Sequence, residues 1–120
     1  MKRFFVFSLL LTAITVAFSQ TNIGIDYYQL GDYENAKKYL EKDIATNPAE
    51  VNFYLGEIAF KEGNMTKAEE YYKKNLAVAP GNFMGEIGLA KLLLKKDIKA
   101  AETSLNTVLR TNKKDIDVLL

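Results

Sequence analysis

No cysteine and no histidine occur among the 120 residues. The first absence rules out disulfides, a thiol nucleophile and a lipid-bearing cysteine behind a leader. The second removes imidazole acid–base chemistry and the commonest transition-metal ligand. An excess of charge of one sign is lacking as well. Sixteen basic residues face 15 acidic ones, so no net field draws the chain toward nucleic acid. Leaving aside Lys2 and Arg3, which lie in a targeting segment, the balance is 14 against 15, or −1. No glycine-rich phosphate loop, metal-ligand cluster or nucleophile–base pair is found. The chain is not expected to be an enzyme or to carry a cofactor or metal.

Residues 1–19 read as a signal peptide. Lys2-Arg3 is followed by an uncharged run of 15 residues, Phe4 to Phe18, and Ala17-Phe18-Ser19 gives small residues for cleavage before Gln20. The run is shorter than the roughly 20 residues a spanning helix needs. Cleavage and export across an inner membrane, to the periplasm or cell envelope, are expected; an uncleaved anchor or a buried helix is the alternative.

Prolines are few, Pro48 and Pro80, and they stand 32 residues apart. So do Gly24/Gly56, Gly31/Gly63, Ala36/Ala68, Tyr39/Tyr71 and Ile44/Leu76. A fixed period in the thirties marks a stacked solenoid of supersecondary units. In the first unit Ile23, Tyr27 and Leu30 outline a short amphipathic helix. Gly31 stops it, and Asp32 caps the next helix. There Tyr33, Ala36, Leu40 and Ile44 form one apolar face, Glu34 and Lys38 pair on the surface, and the helix ends near Thr46. Asn47-Pro48 then opens a helix running to Glu62. Gly63-Asn64 repeats the stop and cap. The following helix puts Met65, Ala68, Tyr72, Leu76 and Ala79 on one side, with Glu69–Lys73 and Glu70–Lys74 on the other.

The third unit keeps Gly88 at 32 residues from Gly56 and then slips to 33: Asn64 matches Asp97, Ala68 Ala101, Tyr72 Leu105 and Leu76 Leu109. One residue is therefore inserted within Leu92–Lys96. Lys96 stands where Gly31 and Gly63 stood. It either adopts their left-handed conformation, at a strain of roughly 1–2 kcal/mol, or the turn differs. Beyond it, Ile116, Val118 and Leu120 align with Val51, Phe53 and Leu55. Residues 114–120 thus read as the start of a further helix, either in a longer protein or as a stub that docks or self-associates.

These units resemble tetratricopeptide repeats: Gly24, Tyr27, Ala36, Leu40 and Pro48 in the first, Gly56, Ala68, Tyr72 and Pro80 in the second, Gly88, Ala101 and Leu105 in the third. The resemblance implies an all-α, right-handed α-solenoid of about three helix–turn–helix repeats, over residues 20–120 with units at about 21–48, 49–80 and 81–113. The family's second-helix alanine is replaced by Asp43, Asn75 and Val108, and its first-helix aromatic is absent at Ala59 and Lys91.

In this family the first helices line a concave face that holds a peptide or partner helix. Projected here, that face presents Asn22, Ile25, Tyr28 and Gln29, then Asn52, Phe53, Glu57, Phe60 and Lys61, then Glu86, Leu89 and Leu92 or Leu93. The implied function is a protein–protein adaptor or scaffold of the envelope, with an apolar groove and a few polar fixing points; the alternative is the docking arm of a longer envelope protein or enzyme. For Phe53, Phe60, Leu89 and Leu92, filling the seam between units competes with lining a groove. Some family members grip a C-terminal carboxylate with lysines and asparagines at positions that hold Thr21, Ile25 and Gly85 here, so that activity is not carried over. Lys95, Lys96, Lys99, Lys113 and Lys114 make the third unit the most basic, either a solvated face or one for an acidic partner or anionic lipid.

Overall fold

Six helices follow one another: α1 (Ile23–Gln29), α2 (Tyr33–Asp43), α3 (Pro48–Lys61), α4 (Met65–Val78), α5 (Phe83–Leu93) and α6 (Ile98–Thr111). They belong to a computed structural model that describes residues 22–113. The leader and the 114–120 segment lie outside the described residues. Within them there is no strand, and the fold is an all-α helical repeat.

The local chemistry anticipated for each turn is visible in the hydrogen bonds. Asp32, Asn64 and Asp97 cap α2, α4 and α6, accepting from the amides of Asn35 (3.2 Å), Lys67 (3.1 Å) and Ala100 (3.0 Å). Each satisfies a donor that the helix start leaves open. Gly31 and Gly63 turn with φ of 79° and 82°, a backbone region that side chains with a Cβ enter only with strain. No described non-glycine residue has positive φ, Lys96 included. The inserted residue is absorbed instead by a wider turn, in which the amides of Lys96 and Asp97 both close on the Leu93 carbonyl, at 2.9 and 2.7 Å.

Several details differ from the periodicity. Ile23 and Leu30, expected on the apolar face of α1, are 46% and 81% exposed, and Leu30 lies beyond the end of the helix. α2 stops at Asp43, so Ile44, though correctly spaced for the apolar face, is 40% exposed. The Glu34–Lys38 pair is not formed, whereas Lys73–Glu69 and Lys74–Glu70 are, at 2.6 and 2.9 Å.

Helices pair as α1/α2, α3/α4 and α5/α6; each first helix also packs on the pair before it, and α1, α3 and α5 touch in succession. Close approach explains the small residues. A Cβ on Gly56 would lie 2.7 Å from the Tyr72 ring, and one on Gly88 2.5 Å from the same ring. Tyr72 is thus clasped between α3 and α5 and is fully buried. One apolar cluster joins Ala36, Leu40, Val51, Leu55 and Ile58; a second joins Ala59, Ala68, Tyr72 and Leu92. Each large aliphatic side chain in them contributes about 1.5–3 kcal/mol by leaving water.

Candidate functional site

The face built by α1, α3 and α5 gathers most of the residues that sequence reasoning singled out. Tyr28, Phe53 and Phe60 are half-buried. The Tyr28 ring stands 5.2 Å from Tyr54, and Phe53 stands 5.2 Å from Tyr54 and 6.3 Å from Tyr72. An aromatic strip therefore runs from the first unit to the second. Ile25 backs it from α1 against the first core cluster, and Leu89 backs it from α5 against the second. Gln29 and Lys61 are exposed at its border.

Glu57 is the exception in kind. Rather than projecting as a free fixing point, it is 8% exposed and already engaged. Tyr72 donates its hydroxyl to Glu57 Oε1 at 2.6 Å, and the Lys91 ammonium closes on the same oxygen. Tyr28 O–H approaches Oε2 at 3.5 Å, the outer limit of a hydrogen bond. Lys91 also lies over the Phe60 ring, 4.7 Å from its centre, with Lys95 at 5.5 Å from the same centre. One carboxylate thereby links side chains from all three helix pairs. The charge of Glu57 is matched inside the protein, which leaves the strip above it apolar and aromatic.

Titration of the tyrosines reflects this setting. Burial, then the negative charge of Glu57, pushes the Tyr28 phenol up to about 12. Tyr72 is pushed up as well, by burial first and then by its hydrogen bond to Glu57. Burial, followed by the charges of Glu50 and Glu57, raises Tyr54.

Other projected residues fall elsewhere. Asn52 is buried and donates to the Pro48 carbonyl at 2.7 Å, so it belongs to the helix start and not to the face. Asn22 is half-buried, its amide 3.5 Å from Glu50. Glu86 lines, with Leu89 and α6, a groove of about 800 Å³ between α5 and α6. Leu92 is buried in the core, and Leu93 is half-buried. A smaller cavity of about 380 Å³ lies beside Phe53, Tyr54 and Met84, with Asn75 in its wall. The Asn75 amide donates to the Ala49 carbonyl at 2.7 Å, tying the end of α4 to the start of α3.

Tyr72, Tyr54, Lys91 and Asn75 were not read as site residues. A signal existed for two of them. Lys91 occupies the position that Tyr27 holds in the first unit, and Asn75 replaces a small residue of the second helix. Both are departures from the repeat pattern, and both carry polar links between helices. Among the described residues, no group of three or more carboxylates could hold a metal ion.

Fold and face together define a helical-repeat protein whose first helices build a shared surface of the kind used in protein–protein interaction. The chain belongs to the tetratricopeptide repeat family, whose model matches residues 21–83. It is 30% identical to the Sol locus transcriptional repressor of Clostridium acetobutylicum, over 63% of this chain and 24% of that protein. It is 33% identical to the photosystem I assembly protein Ycf3 of Rippkaea orientalis, over 52% of this chain and 46% of that protein. The chain thus spans less than half the length of these curated relatives. No solved structure matches it.

Proposed function

We propose that the chain is an adaptor or scaffold that holds a peptide or partner helix on the face formed by α1, α3 and α5, and that it works in the periplasm or cell envelope. The observation that carries this reading is the aromatic strip Tyr28–Tyr54–Phe53 together with Phe60, half-exposed on contiguous helices, above a carboxylate already neutralised by Lys91. Such a surface releases ordered water when an apolar segment covers it, and it asks for no buried charge in return. The residue types present offer shape and apolar area rather than turnover. An assembly role, as in the name of the Rippkaea orientalis relative, is in keeping with a scaffold. The basic start and the 15-residue apolar run of the leader support the compartment.

Replacing Phe53 and Phe60 together by glutamate tests the face. The double variant should keep its helical circular dichroism and lose the partners that the parent captures from an envelope extract. Capture of the same partners by a folded double variant contradicts the assignment, and unfolding returns both rings to the core. The greater length of both relatives favours a second reading, in which these repeats are the docking arm of a longer polypeptide.

A further inference from the structure

The turn between α5 and α6 has features that the core does not use and that, apart from Lys95 over the Phe60 ring, the aromatic face does not use either. Leu94 and Ile98 are 46% and 72% exposed there. Lys95, Lys96 and Lys99, interleaved with them, are all exposed. None of these three lysines is paired with a carboxylate among the described residues. The nearby acids are engaged: Asp97 accepts the Ala100 amide, and Glu69 pairs with Lys73. Glu102, a turn further along α6, is exposed and pairs with no lysine. The one-residue insertion peculiar to this unit widens the turn that carries Leu94, Lys95 and Lys96, and Ile98 and Lys99 follow in the first turn of α6.

Two apolar tips set among unpaired ammonium groups have the chemistry of an interfacial anchor. The apolar groups gain by entering the boundary between headgroups and acyl chains, and the lysines gain by meeting lipid phosphates. Neither Leu94 nor Ile98 lines either of the two cavities. A protein partner would need a shaped recess for them, whereas a fluid bilayer moulds itself to a projecting turn. We propose that the α5–α6 turn docks on an anionic lipid surface, with Leu94 and Ile98 entering the headgroup region and Lys95, Lys96 and Lys99 contacting the phosphates. The docking leaves the strip Tyr28–Tyr54–Phe53 free and meets the aromatic face only at Lys95, which lies over Phe60. Among the described residues no helix is long and apolar enough to cross a membrane, so the contact is peripheral.

The chain itself supplies the control. Leu30, in the corresponding turn of the first unit, is 81% exposed but has Gln29, Gly31 and Asp32 as neighbours and no adjacent lysine. Because the sequence contains no tryptophan, Ile98→Trp and Leu30→Trp each create a sole reporter in the full chain. With vesicles of phosphatidylglycerol and phosphatidylcholine, emission from position 98 should shift to the blue and be quenched by brominated lipid. Position 30 should stay at its aqueous wavelength, even if the leader brings the chain to the vesicle. Changing Lys95, Lys96 and Lys99 to glutamate should raise the lipid concentration needed at position 98 by about a hundredfold or more, since each lysine near an anionic surface is worth roughly fivefold. The proposal is overturned by an unshifted position 98, by equal shifts at 98 and 30, or by equal shifts on pure phosphatidylcholine. A shift with polyglutamate but not with anionic vesicles would assign the turn to an acidic polypeptide instead.

Discussion

Lys91 and Glu57 form an ion pair across 34 residues of sequence, with side chains only 29% and 11% exposed, and Tyr72 bonds to the same carboxylate oxygen. This link spans α3, α4 and α5. Removing one member of such a pair hurts more than the pair itself is worth, because it strands the rest out of water. Glu57→Ala leaves the buried Tyr72 hydroxyl without its acceptor and Lys91 without its counter-charge, and should lower unfolding stability by about 2–4 kcal/mol. Lys91→Met keeps the Tyr72 bond but leaves the Glu57 carboxylate, the more buried member, without its cation, and should lower it by a comparable amount, about 2–4 kcal/mol. Urea denaturation of both variants and of the double variant checks this; the double should fall well short of the sum of the singles.

Alkali should act through the same network. An acid group held protonated in the folded state above its usual value stabilises the fold fully below the unfolded value and loses that contribution as pH rises through the folded one. Tyr28 titrates at about 12 instead of 10.0, and Tyr54 and Tyr72 are shifted the same way. Stability should therefore fall between about pH 10 and 12. Tyr28→Phe should make the fall shallower. Ultraviolet difference titration should show a set of phenols ionising late in the native protein and together with the rest in urea.

Two glycines separate packing from backbone strain. Gly88→Ala drives a methyl against the Tyr72 ring from the α5 side and should weaken the junction of the second and third units by about 1–3 kcal/mol. Gly31→Ala meets no atom within 4 Å but must hold a φ of 79°, at roughly 1–2 kcal/mol. Hydrogen exchange distinguishes them: the first variant should speed exchange in α5 and α6 most, the second in α1 and α2.

Asn75 yields a fourth expectation. Its amide ties α4 to the Ala49 carbonyl, and its oxygen lies against Gly85, where a Cβ would clash. Asn75→Ala restores the small residue usual at this place in the repeat and loses one hydrogen bond. The net change should be a loss of about 1 kcal/mol, read by thermal unfolding.

The helices and their order were legible because stacking leaves a spaced record. Gly24, Gly56 and Gly88 are small where helices cross, and Gly31 and Gly63 turn the chain. Ile44 misled because its spacing continues the α2 face while the helix itself ends at Asp43. The third turn could not be decided in advance, since a lysine in left-handed backbone and a wider turn both accommodate the insertion; the lower-strain solution is the one adopted. The surroundings of Glu57 were hidden for another reason. Its donors come from 15 and 34 residues away, and only the solenoid's stacking brings them to one carboxylate. The repeat layout puts Glu57 on the concave face and says nothing of what neutralises it.

A photo-crosslinking residue placed at Phe60, compared with one at Lys73 on the far side of α4, tests the interaction face most directly. Illumination in the native cell should yield a protein adduct from position 60 and none from position 73. Adducts from position 73 alone, or none from position 60 while the intact chain still retains a partner, would contradict it.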